Sequence, residues 1–262
     1  MIVAATKREL LLLAGGAGFG ANEFALDFEL ASAEGLVITD AAQTGLDLSG
    51  DHSIEMWWRP ESLPNPGSGR PEYNVFCTKW GTGGNSYFYS FRNTIAPSSR
   101  YEVYVTDGAN TDSVFWNVTA PSLGTYRHVA FTCDISAAVA DQWKCYVDGA
   151  DIGASTTLSD GGVTSIVNGT APVSISMFRN GAADSLFQDG IMDEFRIWNT
   201  VRTSSQIADN RSAQIDPTAA GLVAYLRMNT GSGTTAFDSH ANGNDFAFQN
   251  TPDWVASPLP FA

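Results

Sequence analysis

Hydrophobic and polar residues alternate most regularly late in the chain, over residues 187–198 (FQDGIMDEFRIW). After Gly190 they fall into two sets: Ile191, Asp193, Phe195 and Ile197 on one side, and Met192, Glu194, Arg196 and Trp198 on the other. A period of two over this length predicts a half-buried β-strand around which the fold is organised. Asp193 falls on the apolar side, where a carboxylate needs a cation or several hydrogen-bond donors.

Similar runs recur from Phe24 onward, and segments rich in Gly, Asn, Asp and Pro separate them. The runs are residues 24–30, 52–60, 73–80, 86–92, 101–106, 113–117, 125–134, 142–149, 172–178, 186–198 and 221–228. Many short strands joined by polar turns predict an all-β fold, an antiparallel two-sheet sandwich. One short helix is predicted to begin at Thr203, because Thr203 and Gln206 have capping-box spacing, and to end near Asn210.

Residues 126–134 and 142–149 are predicted to form a hairpin. A loop centred near Val139 places Cys133 opposite Cys145. These cysteines either form a cross-strand disulfide or remain reduced in the core, and we favour the reduced state. Cys77 is expected to be an ordinary core residue.

The first 22 residues differ from the rest, with a short apolar run followed by a glycine-rich stretch. We predict an N-terminal arm over residues 1–22 and one domain over residues 23–262. Gly16, Gly18 and Ala21 fit a relaxed dinucleotide-binding fingerprint, but a strand-like run follows where that motif requires a helix. Glu9 adjoins a very short apolar run, so a cleaved signal peptide is not expected.

The chain is acidic: Asp and Glu outnumber Lys and Arg by 28 to 14, which gives a net charge of −14. Such a surface repels phosphate backbones and anionic membranes, so we expect no nucleic-acid partner. No apolar run approaches the roughly 18 residues that span a bilayer. We therefore expect no membrane span.

Several motifs occur in a recognisable order. They are residues 25–29 (ALDFE), 53–60 (SIEMWWRP), 127–130 (RHVA) with 146–149 (YVDG), 190–199 (GIMDEFRIWN) with 201–207 (VRTSSQI), and 221–229 (GLVAYLRMN) with 243–245 (GND). Together they resemble the laminin G-like domains of the concanavalin A-like lectin/glucanase superfamily, and the resemblance covers residues 24–254. It implies a jelly roll of two curved antiparallel sheets, and it specifies a fold more firmly than a function.

The same resemblance implies a candidate calcium site. Many members of the family hold Ca²⁺ partly through the aspartate that matches Asp193, together with backbone carbonyls near the first strand. Asp193 is thus the first candidate ligand and Glu29 the second, although Glu29 departs from the aspartate usual at its position. The alternative is that Asp193 accepts backbone N–H bonds at a β-bulge, and both explanations stay open.

No catalytic constellation is visible in the sequence. The E-x-D-x-x-E spacing of the family's glycan-cleaving enzymes is missing, and alternation sends the adjacent Asp193 and Glu194 to opposite faces. There are three histidines, no G-x-S-x-G elbow and no cysteine in a nucleophile context. We therefore predict that the protein is not an enzyme.

Two functions remain. The first is a lectin-like surface module that binds glycans or other surface ligands as part of a virion or cell-surface assembly. The alternative is a structural decoration or fibre protein of a phage particle. In that case residues 1–22 would mediate self-assembly or attachment to capsid or tail proteins. Both imply a location on a virion surface or outside the cell. A glycoside hydrolase is disfavoured by the missing carboxylates.

Overall fold

The computed structural model describes residues 21–64, 73–93, 99–180 and 183–259. These residues form two large antiparallel sheets, and the main hydrophobic core lies between them. The predicted all-β sandwich of jelly-roll type is confirmed. Each predicted strand run contains an observed strand, and the strands that the pattern missed are short ones.

Sheet A has eight strands, with the predicted organising strand near its centre. In spatial order they are β10 (Ala150–Asp151), β9 (Trp143–Val147), β8 (Arg127–Cys133), β3 (His52–Pro60), β15 (Gly190–Trp198), β1 (Phe24–Phe28) and β19 (Asp253–Ala256), while β16 (Leu222–Leu226) also pairs with β15.

Sheet B has nine strands. In spatial order they are β11 (Thr156–Ser159), β7 (Thr111–Val118), β6 (Ser99–Thr106), β5 (Tyr87–Asn93), β4 (Tyr73–Lys79), β12 (Val173–Ile175), β2 (Gly35–Ile38), β18 (Phe246–Gln249) and β17 (Thr235–Ala236). A separate small hairpin consists of β13 (Phe178–Asn180) and β14 (Ala183–Ser185). Short 3₁₀ turns occupy Leu30–Ser32 and Asp40–Ala42.

Aromatic side chains join the two sheets. Phe131 of sheet A lies 5.3 Å from Tyr89 and 5.9 Å from Tyr101 of sheet B, measured between ring centroids. Trp58 of sheet A lies 5.0 Å from Phe76 of sheet B, with the two rings edge to face. These rings are buried, and such pairs add about 0.5–1.5 kcal/mol each beyond the burial of their area.

A β-bulge in β15 makes the division of its side chains between the core face and the outer face differ from the predicted one. The register with β3 shifts between Asp193 and Arg196, and Glu194 has a left-handed φ of 52°. The extra residue reverses the alternation, so Phe195 joins the core with Met192, while Asp193 lies on the opposite face. The prediction that Asp193 shares a side with Phe195 was therefore wrong, and so was the prediction that Asp193 and Glu194 lie on opposite faces, since Glu194 bonds to Arg196 and Tyr225 on the outer face. The burial of Asp193 was predicted correctly.

The predicted short helix is present as α2 (Ser204–Asn210), with α1 (Val139–Gln142) as an additional single turn. Thr203 Oγ1 accepts a hydrogen bond from Gln206 N–H, and Gln206 Oε1 accepts one from Thr203 N–H. This is the capping box that the spacing predicted.

The hairpin register differs from the prediction around the cysteines. Because α1 occupies the loop, Cys133 pairs with Trp143 and Cys145 pairs with Phe131. The two cysteines are therefore not opposite each other. Both are buried and free, as is Cys77, which confirms the reduced state.

Most of the predicted N-terminal arm, residues 1–20, lies outside the described residues. Asn22 is described and is buried in the domain. Within the described part of the chain, no helix has the length and apolar character of a membrane span.

The outer face of sheet A is closed by residues 199–220, which we call the covering segment. Ile207 of this segment packs on Ala130 and Tyr146, and Ile215 packs against Trp198 and Tyr225. The sheet also donates hydrogen bonds to the covering segment. Trp57 Nε1 donates to the Arg211 carbonyl at 2.7 Å, and Arg196 donates to the Asn210 and Ala213 carbonyls at 3.0 and 2.8 Å.

Charged side chains lie buried beneath the covering segment. Arg196 Nη2 donates to Glu194 Oε2 at 2.8 Å, and the Tyr225 hydroxyl donates to the same oxygen. Trp198 Nε1 donates to Glu55 Oε1 at 2.7 Å. Burial acts to raise the pKa of Glu55, but the hydrogen bond from His128 and the charge of Arg196 hold it at about 2.

We predict that Arg196→Leu destabilises the fold by about 3–5 kcal/mol, because it removes the nearer of the two guanidiniums beside the buried Glu194 and leaves only Arg227, at 3.9 Å. The matched control is Arg127→Leu on neighbouring β8, whose partly exposed ion pair with Asp148 spans 3.7 Å. Such surface pairs contribute about 0–1 kcal/mol. Urea unfolding of both variants measures the difference, and equal small losses would show that the buried pair does not hold the covering segment.

A second prediction concerns His52, which is buried in the core with Nδ1 2.8 Å from the Gly50 carbonyl oxygen and Nε2 against the Tyr89 hydroxyl. Burial lowers the pKa of His52 to about 4. Since the unfolded chain binds this proton more tightly, stability is lost as pH falls from about 6.5 to 4, by up to about 3 kcal/mol.

The variant His52→Gln should lack this component of the pH dependence. The control His240→Gln changes a partly exposed loop histidine and should keep the wild-type profile. Unfolding free energies measured between pH 4 and 7 test the prediction, and an unchanged slope in His52→Gln would overturn it.

Candidate functional site

The outer face of sheet B is built from three rows of side chains that run across β4, β5, β6 and β7. The rows follow from the strand register and alternate with the core residues. They are Tyr73, Arg92, Arg100 and Asn117; Val75, Ser90, Glu102 and Phe115; and Thr78, Phe88, Tyr104 and Ser113. We call these twelve residues the sheet B platform.

Aromatic rings occupy one side of the platform. Phe88 contacts Tyr73 and Tyr104 edge to face, with centroids 5.7 and 6.0 Å apart. Trp80, just beyond β4, lies 6.4 Å from Tyr104, and Phe178 of the β13–β14 hairpin lies 6.0 Å from Phe88. Tyr73, Trp80 and Tyr104 are half-buried, so parts of their rings face outward.

Charged residues occupy the other side of the platform. Arg100 Nη2 lies 2.7 Å from Glu102 Oε1, and Arg92 Nη1 lies 3.7 Å from the same oxygen. The Tyr104 hydroxyl donates to this oxygen as well, at 3.0 Å. The second carboxylate oxygen of Glu102 is buried and accepts no hydrogen bond.

Each arginine of the platform also lies over an aromatic ring. The guanidinium carbon of Arg92 is 4.9 Å from the Tyr73 ring centroid, and that of Arg100 is 4.6 Å from the Phe115 ring. Stacking of this kind fixes the plane of the guanidinium. The platform therefore presents oriented N–H donors next to aromatic surface, which is the combination that sugars require.

Asp193, the first predicted calcium ligand, is buried at the bulge. Its Oδ1 accepts a hydrogen bond from Glu194 N–H at 2.9 Å, and its Oδ2 accepts from Asn22 Nδ2 and Ser257 Oγ, both at 2.7 Å. Burial and the neighbouring charge of Glu194 raise the pKa of Asp193 well above its usual range. The Glu194 N–H at the bulge is a donor of the kind that the sequence had left open as the alternative. The other two donors are side chains, and they connect β15 to both ends of the described domain.

Glu29, the second predicted ligand, lies in a different group of carboxylates. Oxygens of Asp27, Glu29 and Glu61 all lie within 4.8 Å of one another, and Asp193 is not part of this group. Burial, followed by the charges of Glu61 and Glu29, raises the pKa of Asp27 to about 6. Asp27 Oδ1 is buried and accepts no hydrogen bond. Oxygen donors of this type suit a hard divalent cation.

Sequence reasoning found only part of these sites. It named Glu29 but missed Asp27, two residues earlier, and Glu61, which meets them because β1 and β3 flank β15. It assigned no role to Tyr104. It missed Arg92, Arg100 and Glu102, although alternation within the β5 and β6 runs would have placed Arg92 and Glu102 outward.

The solved structures that share the fold include the following two. A Bacteroides ovatus protein named as a candidate carbohydrate-binding protein is 19% identical over 92% of this chain, with a TM-score of 0.63, and this chain spans 61% of its length. A heptameric SAP-like pentraxin from Limulus polyphemus is 13% identical over 91% of this chain and 97% of its own, with a TM-score of 0.60. A search of curated proteins found no match.

A laminin G-type family model, described as "Concanavalin A-like lectin/glucanases superfamily", matches residues 32–208. The match covers more than half of the chain and includes strands of both sheets, in the region where the sequence motifs predicted it. The chain therefore belongs to the concanavalin A-like lectin/glucanase superfamily and has its lectin-like fold.

Proposed function

We propose that the protein is a non-catalytic, lectin-like module that binds glycans on the sheet B platform. The observation that carries this proposal is the difference between the two outer faces. The covering segment closes sheet A, whereas the platform on sheet B combines half-buried aromatic rings with oriented polar groups.

The state of Glu102 supports a binding role over a hydrolytic one. A retaining glycosidase needs two carboxyl groups about 5–5.5 Å apart, one as acid and one as nucleophile. Among the twelve platform residues, Glu102 is the only carboxylate, and two guanidiniums and a tyrosine hydroxyl hold it. The platform therefore lacks the second carboxyl group that such a mechanism needs.

A glycan array followed by calorimetry with the best ligand tests the proposal. We expect Tyr73→Ala and Trp80→Ala each to weaken binding about tenfold or more, which corresponds to about 1.4 kcal/mol. The control is Trp254→Ala, a half-buried tryptophan of β19 in sheet A, and it should keep wild-type affinity. Thermal unfolding verifies that each variant is folded.

Two results would overturn this assignment. Absence of binding to every glycan on the array would remove the proposed function. Binding that survives both platform substitutions would move the site to another part of the molecule.

We further propose that Asp27, Glu29 and Glu61 bind a divalent cation, with Ca²⁺ as the first choice. The group offers three carboxylates and a buried Asp27 oxygen that accepts no hydrogen bond. A bound cation would offset both the burial and the neighbouring charges that raise the pKa of Asp27. Asp193 offers less, because hydrogen-bond donors already contact both of its oxygens.

Thermal unfolding in CaCl₂ and in EDTA tests the cation site. Calcium should raise the melting temperature of the wild type, because a ligand that binds only the folded state stabilises it. The double variant Asp27→Asn, Glu29→Gln should lose that increase, whereas Asp193→Asn should keep it. No calcium effect on the wild type would reject the site, and loss of the effect in Asp193→Asn alone would return the cation to Asp193.

The location of the module on a virion or cell surface stays a prediction. So does the attachment of residues 1–22 to capsid or tail proteins. Both rest on sequence features of residues that lie mostly outside the described part of the chain.

A further inference from the structure

The sheet B platform places two positive charges side by side on an acidic protein. Arg92 and Arg100 pair directly across β5 and β6, while the whole chain carries a net charge of −14. Like charges directly opposite each other destabilise a sheet. Glu102 lies within ion-pair distance of both guanidiniums and offsets this repulsion.

Both arginines are accessible, although the carboxylate between them is not. The side chains of Arg92 and Arg100 are 22% and 16% exposed, whereas Glu102 is fully buried. Ser90 beside them is also fully buried. Glu102 therefore lies beneath the two arginines, and their guanidinium groups are the charged groups that a ligand can contact.

The guanidiniums are also pre-oriented. Each lies over a ring, Arg92 over Tyr73 and Arg100 over Phe115, and each lies within ion-pair distance of Glu102. A guanidinium whose plane is already fixed loses little rotational freedom when it binds an anion, and its fork of N–H groups matches the two oxygens of a carboxylate. Neutral sugars gain much less from such a fork.

We infer that the glycan bound by the platform is an acidic one, with a sugar carboxylate or sulfate group between Arg92 and Arg100. This inference rests on the proposed function and specifies its ligand class. The acidic surface elsewhere repels polyanions, so the local attraction applies to one anionic group of a short oligosaccharide.

A matched pair of ligands tests the inference on the wild-type protein. Tetragalacturonic acid carries carboxylates, and its methyl ester has the same sugars without the charge. Calorimetry should show the acid binding at least tenfold more tightly than the ester at 50 mM NaCl, and this preference should shrink as salt rises to 500 mM. A sulfated galactan oligosaccharide, compared with its desulfated form, shows whether sulfate serves as the anion instead.

Substitutions assign the effect to the two arginines. Arg92→Gln and Arg100→Gln should each reduce the preference for acid over ester, and Arg100→Lys should retain part of it because it keeps the charge and loses the fork. Arg127→Gln in sheet A should leave the preference unchanged. The ligand comparison on the wild type does not depend on how well the variants fold.

The outcomes separate this inference from the proposed function. Equal binding of acid and ester, together with equal binding of the sulfated and desulfated galactans, would overturn the acidic-ligand inference and leave glycan binding in place. A preference that both Arg92→Gln and Arg100→Gln keep would overturn the assignment to these two arginines. Failure of every glycan on the array would overturn both proposals.

Discussion

The β-bulge at Asp193 and Glu194 determines what the central strand of sheet A presents to each side. One extra residue keeps Phe195 and Ile197 in the core and turns Glu194 and Arg196 to the outer face. Buried charges on a sheet face require cover as well as partners, because water can no longer solvate them. The covering segment supplies that cover, and its carbonyl groups accept hydrogen bonds from Arg196 and Trp57. The left-handed φ of Glu194 is strained, and its bonds to Arg196 and Tyr225 hold it in place.

The closure of sheet A has a consequence for function. A two-sheet sandwich has two outer faces, and in this chain the covering segment, with its helix, takes one of them. Ligand binding on a sheet face is then left to sheet B, where the register of four adjacent strands aligns aromatic and charged side chains in rows. The two sheets thus have different roles. Buried charges on sheet A hold the covering segment in place, whereas accessible charges on the sheet B platform are available to a ligand.

Alternation and turn residues predicted most of the fold, because each strand buries one face in a shared core and a period of two records that burial locally. The helix cap at Thr203 was equally local. Alternation could not predict the bulge, since the backbone at Glu194 depends on Tyr225, 31 residues away along the chain. Alternation also placed Cys133 opposite Cys145. That prediction failed because the turn α1 inside the hairpin loop, which alternation does not detect, shifts the register by two residues.

The candidate sites were harder to predict than the fold. Arg92 and Arg100 meet only through the β5–β6 register, and Arg100 precedes the residues that the pattern assigned to a strand. Asp27 and Glu61 meet only because their strands flank β15. Motif resemblance supplied Asp193 and Glu29, but only Glu29 lies in the carboxylate group. Long-range pairing sets these contacts, and a single sequence does not encode it in any local pattern.

The central claim is that the outer face of sheet B is the ligand face. A crystal structure of the protein with a bound acidic oligosaccharide tests it most directly. The account predicts density across β5 and β6, with the sugar anion contacting Arg92 and Arg100 and a sugar ring against Tyr73 or Trp80. Ligand density on the covering segment, or at the Asp193 end of sheet A with an empty platform, would contradict it.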